Sequence, residues 1–173
     1  MMKQVNFNLD TKKKCLTEIS QEEQMIFIEK IYNEYKNEDR NENDNQKINK
    51  IETNTNVNTL KDLLSVLKKK YSSYKSQDKQ SHKYDVDQHI TFKEMIEKIY
   101  TSKLTCYYCN CSLTILYNKK REKKQWTLER LNNNLGHYTS NTCICCLDCN
   151  LKRRTDNHEY FKNSKQTKIV KII

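Results

Sequence analysis

Large apolar residues recur at helical spacing in three stretches of this chain and alternate in two others, with strongly polar runs between them. Ser20 and Glu23 form a capping-box pattern ahead of Met25, Ile28, Tyr32 and Tyr35, which predicts an amphipathic helix running to about Tyr35. Asn37 to Asn58 holds only Ile48, Ile51 and Val57 as large apolar residues, so it buries little surface and reads as a linker, leaving the first helix as an appendage. Thr59 is placed to cap a second helix with Leu60, Leu63, Leu64, Leu67, Tyr71 and Tyr74 on one face. Ser76 to Gln88 is polar again, and His82 within it and His89 just after it lack a second ligand at metal spacing. Thr91 with Glu94, and Ile90 with Met95, supply a capping box and a hydrophobic staple for a third helix ending near Tyr100.

Beyond Tyr100 the period changes from helical to alternating. Leu113, Ile115 and Tyr117 alternate as in a strand, as do Trp126, Leu128 and Arg130 against Thr127, Glu129 and Leu131. Asn132 to Ser140, which contains the only glycine, reads as a loop, Thr142 to Cys145 as a short strand, and Cys149 to Thr155 as a helix. Asp156 with Glu159 suggests one more capped helix, with Tyr160, Phe161, Ile169 and Val170 as its apolar contacts. The expected organisation is an arm, helix and linker over 1–58, a helical segment and linker over 59–90, and a compact unit over 91–173.

Cysteine placement sharpens that last unit. Seven of the eight cysteines lie between Cys106 and Cys149, and Cys15 stands apart. Two C-x2-C pairs, Cys106/Cys109 and Cys146/Cys149, can close four thiolates around one Zn²⁺, a closed set with no place for a reactive water. Cys111, Cys143 and Cys145 read as small buried hydrophobes, with a second, incomplete metal cluster as the other reading.

Charge points to a polyanionic partner. The net charge is +10, and between Thr101 and Arg154 ten basic residues face three acidic ones, a balance of +7 that a zinc tetrathiolate would reduce to +5. Lys119, Lys120, Arg121, Lys123, Lys124, Arg130, Lys152, Arg153 and Arg154 are the candidate phosphate contacts. With 35% hydrophobic residues and a mean hydropathy of -1.02, a small metal-stapled core is expected in place of a large apolar one. No apolar run is long enough for a membrane span and Met1 to Asp10 carries no signal-peptide pattern, so a soluble intracellular protein of cytoplasm or nucleus, or of a host cell if viral, is expected.

The run Asn141-x4-Cys146-x2-Cys149-Asn150, followed by Lys152-Arg153-Arg154 and preceded by Leu128-Glu129-Arg130 and Gly136-His137, resembles the zinc-knuckle branch of the HNH endonucleases. The resemblance covers about fifty residues and implies an α+β fold: a zinc-stapled, treble-clef-like ββα-metal unit preceded by amphipathic helices and polar linkers. It also implies metal-dependent hydrolysis of DNA phosphodiesters, with Glu129 and Asn150 holding Mg²⁺ or Mn²⁺ and Asn141 bracing the loop. Arg130 falls where most members have the water-activating histidine, and a guanidinium stays protonated. His137, the only histidine in the motif, is the replacement base, and Arg130 would hold the scissile phosphate or stabilise the transition state. A zinc-dependent nucleic-acid-binding protein without catalysis is the alternative that Arg130 keeps open, and a protein-interaction module is a third. The N-terminal helices would serve partner or target selection, with a homodimer or a protein partner as the expectation.

Overall fold

The computed structural model describes residues 19–36, 57–117 and 119–167. Cys15, most of the linker and the tail with Ile169 and Val170 lie outside the described residues. The described chain is α+β: α1 (Gln21–Lys36), α2 (Val57–Gln80), α3 (Phe92–Thr101), β1 (Trp126–Arg130), β2 (Thr142–Cys146), α4 (Leu147–Arg153) and α5 (His158–Gln166). The two strands pair antiparallel, with Trp126 opposite Cys146 at one end and Arg130 opposite Thr142 at the other.

Local sequence explains where the helices start. Ser20 Oγ accepts from Glu23 N and Glu23 returns a bond to Ser20 N, the reciprocal box read from the sequence. Thr91 and Glu94 do the same for α3, whose Met95, Ile96 and Ile99 are fully buried. The helix α2 begins at Val57, two residues before Thr59, and runs through the stretch expected to be polar linker to Gln80. Its Leu60, Leu63, Leu64 and Leu67 are buried, each contributing about 1.5–3 kcal/mol. α5 is capped by Asn157, whose Oδ1 accepts from Glu159 N and Tyr160 N, one residue later than the Asp156 box expected.

The helices share a core with the strands. α1 packs on α3 through a Tyr32–Tyr100 stack at 4.4 Å and a Tyr35–Phe92 edge contact at 5.4 Å, so α1 is a packed element and not a free appendage. α2 is tied to β1 by two polar contacts. Tyr74 Oη accepts from Leu128 N at 3.0 Å, and Lys70 Nζ donates to Trp126 O while lying 4.6 Å from the Trp126 ring centre. Burial pulls the Lys70 pKa down to about 8.

The expected strand at Leu113–Tyr117 does not form. Ile115 N and Leu116 N donate to the buried Oε1 of Gln24 from α1, and only Thr114 makes backbone bonds toward β1. A glutamine side chain thus takes the place of a third strand, keeping Ile115 and Leu116 buried without a ladder.

Candidate functional site

At the Trp126–Cys146 end of the hairpin lies a cluster of thiols. The Sγ atoms of Cys106, Cys109, Cys111 and Cys146 all lie within 4.8 Å of one another, and Cys109 and Cys146 are 3.9 Å apart. Tetrahedral zinc with bonds of about 2.3 Å separates its sulfurs by about 3.8 Å, so these groups can hold a metal ion. Cys149, the expected fourth ligand, sits at the margin of the cluster, where its thiol interacts with those of Cys146 and Cys109. Cys111, read from sequence as a buried hydrophobe or part of another cluster, joins instead. The backbone brings it there: Asn110 adopts φ +57°, and Cys106 N donates to Cys111 O at 2.9 Å, closing the knuckle over its own first cysteine.

Backbone N–H groups point at the sulfurs. Cys146 N donates to Cys106 Sγ and Cys149 N to Cys146 Sγ, both at 3.3 Å, the second capping α4. Hydrogen bonding from the Cys146 side chain and from the backbone amides of Cys109, Cys146 and Tyr108 holds the Cys106 thiol well below its usual range. The N-terminus of α4 is therefore occupied by the thiol cluster. Cys143 and Cys145 stay outside it, and burial pushes the Cys143 thiol up to about 12. They behave as the small buried hydrophobes expected.

At the other end of the hairpin, Glu129, Arg130, His137 and Asn150 line one cleft of about 310 Å³ with Tyr74 and Arg154. Four residues singled out from sequence thus converge on one cavity, and each is held by a specific contact. Asn141 lies behind them: its Oδ1 accepts from Asn132 N at 2.9 Å and its Nδ2 donates to Asn132 O and Gly136 O at 3.0 Å, closing the β1–β2 loop. Asn150 lines the cleft and its Nδ2 donates to Thr127 Oγ1 at 3.3 Å, which leaves its Oδ1 without a donor among the described residues.

Glu129 is buried and paired. Arg153 Nε and Nη2 both donate to Glu129 Oε1, at 2.8 and 2.5 Å. Arg153 is 1% exposed and also donates to Arg130 O, Asn133 Oδ1 and Asp156 O. Expected at the phosphate backbone, Arg153 is instead a clasp between α4 and the end of β1. Burial raises the Glu129 pKa, and the Arg153 guanidinium opposes that shift. Its Oε2 takes no hydrogen bond from the described residues, so an oxygen ligand for a hard cation is left.

His137 has a partner that sequence reasoning missed. Asp78, on the last turns of α2 and fully buried, accepts from His137 N at 2.5 Å and faces His137 Nδ1 at 2.8 Å through its other oxygen. Arg130 Nη1 lies 3.9 Å from the same carboxylate. Burial lowers the His137 pKa below 6.5, Asp78 partly opposes this, and the imidazole is neutral at pH 7. Gly136 makes the approach possible, because a Cβ there would collide with Lys83 O and come within 2.9 Å of Asp78 Oδ2. The lone glycine ahead of His137 was the available signal, though nothing local pointed from it to residue 78.

The remaining cations divide between the ends of β1. Lys119, Lys120, Arg121, Lys123 and Lys124 are exposed on the loop before Trp126, where Lys123 O accepts from Asp148 N beside the thiol cluster. Arg130 and exposed Arg154 border the cleft, about 13 Å away along the strand. Exposed Lys152 is paired with Asp148 at 2.7 Å. Among the described residues no helix is long and apolar enough to cross a membrane. Compared with family models, with curated proteins and with solved structures, the chain matches none.

Proposed function

We propose that the protein is a metal-dependent DNA endonuclease with an HNH-like ββα-metal site, stapled by a structural Zn²⁺ at the cysteine cluster. The observation that carries this reading is the convergence of Glu129, Arg130, His137 and Asn150 on a single cleft at one end of a β-hairpin followed directly by a helix. A Mg²⁺ or Mn²⁺ ion held by Glu129 Oε2 and Asn150 Oδ1 would supply positive charge for the pentavalent phosphorus and the departing oxygen. His137, neutral at pH 7, takes the proton of the attacking water at Nε2. Arg130, a quarter exposed, holds a non-bridging phosphate oxygen. Asn141 fixes the loop that carries His137. Arg154 and the lysine-rich loop contact the backbone at two places along β1, contacts without base information that give weak sequence preference.

One observation favours a second reading, nucleic-acid binding without cleavage: Arg153 already neutralises Glu129 and so weakens its hold on a cation. Nicking of supercoiled plasmid by zinc-loaded protein in Mg²⁺ or Mn²⁺ separates the two. The nuclease reading expects nicking that falls about 10²-fold or more in Asn150→Ala and His137→Ala. It also expects an acidic limb: protonation of His137 removes the base, and because burial lowers its pKa from the ordinary histidine value, the limb lies at lower pH than a free imidazole would give and activity is lost as pH falls through it. Salt-sensitive binding with intact plasmid across both metals and branched substrates would establish the binding-only reading.

A further inference from the structure

We infer that Asp78 is a positioning residue of the cleft, fixing the imidazole of His137 in the Nδ1–H tautomer so that Nε2 is the ring nitrogen left to accept a proton. The catalytic consequence rests on the nuclease reading; the tautomer itself does not. The geometry is that of two parallel hydrogen bonds from one residue to one carboxylate. His137 N reaches Asp78 Oδ2 and His137 Nδ1 reaches Oδ1. A carboxylate only accepts, so Nδ1 must carry the proton. With Nδ1 committed to Asp78, which does not line the cleft, the Nε2 edge is what His137 presents to it.

The surroundings leave Asp78 no other role of comparable closeness. His89 Nδ1 contacts Ile90 O at 2.8 Å, so its proton is used there, and its Nε2, 3.7 Å from Asp78 Oδ2, has no hydrogen-bond partner. Arg130 Nη1 is 3.9 Å from Oδ1, beyond hydrogen-bond distance, and gives the buried charge electrostatic support. The Tyr74 ring lies against His137 at 4.8 Å and limits rotation of the imidazole. Asp78, Tyr74 and Gln77 all come from α2, which makes this helix a wall of the site and gives it a role beyond partner selection.

An amide at position 78 inverts this arrangement. Asn has one acceptor and one donor where Asp has two acceptors. The backbone N–H of His137 cannot change, so it claims the remaining oxygen and the amide NH₂ faces Nδ1. The imidazole relieves the conflict by moving its proton to Nε2, which then has nothing with which to accept from water.

The test is long-range ¹H–¹⁵N correlation of the histidine rings in zinc-loaded full-length protein at pH 8, with His137 assigned by His137→Gln, beside plasmid nicking. The expected result is an Nδ1–H His137 in the wild type and an Nε2–H His137 in Asp78→Asn. The nicking rate constant should fall about 10²- to 10⁴-fold with little change in substrate KM and zinc content kept at wild-type level. An Nε2–H tautomer in the wild type overturns the inference and needs no variant to be folded. So does a reversed tautomer in Asp78→Asn with undiminished nicking. An Nδ1–H wild type that reverses in Asp78→Asn yet never nicks DNA upholds the dyad and defeats the nuclease reading alone.

Discussion

At the Trp126–Cys146 end of the hairpin four thiols lie close enough together to hold a metal ion, with the Cys149 thiol beside them, whereas at the Arg130–Thr142 end both buried carboxylates are already held by protein donors. The first end is oversupplied with ligands and comes from two short stretches of chain. The second is assembled from α2, β1, the β1–β2 loop and α4, and each of its buried carboxylates is paired before any ligand arrives. A structural metal site needs the right atoms close together. A reactive cleft needs particular lone pairs left open, and the neighbours of Glu129, His137 and Asn150 each occupy one polar atom while leaving another free.

The largest expected effect is at the thiol end. Metal binding to a closed thiolate set contributes to folding directly, by about 10 kcal/mol or more in small zinc domains. Cys106→Ser or Cys146→Ser should therefore lose the metal and the cooperative unfolding transition of the hairpin, read by zinc stoichiometry and circular dichroism. Cys111→Ser and Cys149→Ser should each retain one equivalent of zinc, because either thiol can complete a set with Cys106, Cys109 and Cys146, and the double variant should lose it. Loss of zinc in Cys149→Ser alone would show that Cys111 is a neighbour and not a substitute, and the contrast between the two ends would narrow.

The next effect tests the claim that the cleft is internally balanced. Arg153→Met leaves Glu129 buried beside an apolar chain, and removing one partner of a buried pair costs about 3–5 kcal/mol. Denaturant unfolding in excess zinc should show that loss with zinc stoichiometry unchanged. Adding Glu129→Leu should recover a large part of it, since the uncompensated charge is then gone. A single variant within about 1 kcal/mol of wild type would mean that Glu129 is supported by something other than the clasp.

What could be read in advance divides along the same line. The capping boxes at Ser20 and Thr91, the leucines of α2, both strands and three of the clustered cysteines are signalled by patterns a few residues long, which local periodicity and spacing encode. Asp78 lies 59 residues from His137, and the segment holding it looked like linker because its exposed face is polar. Arg153 sat in a basic run, and nothing in that run distinguishes the one side chain turned inward to Glu129 from the two left outside. Gln24 taking the backbone of Ile115 and Leu116 erased a strand whose alternation was sound, since periodicity reports which faces are buried and not what satisfies the amides. Cys111 joins the cluster because a positive φ at Asn110, invisible in a spacing rule, folds it back.

The smallest effect concerns the join between α2 and the hairpin. Tyr74 Oη is the acceptor for Leu128 N in the middle of β1, and the ring packs against His137. Tyr74→Phe keeps the ring and removes only the oxygen, leaving a buried backbone N–H without a partner at a cost of about 1–3 kcal/mol. For a chain of this size each kcal/mol corresponds to a drop of about 2–4 °C in the thermal midpoint. Zinc affinity should not change, because the thiols lie at the far end of β1 and share no contact with Tyr74. If instead Tyr74→Phe loosened zinc as well, the two ends of the hairpin would be energetically coupled through β1, and α2 would be reaching the metal site through the strand that joins them.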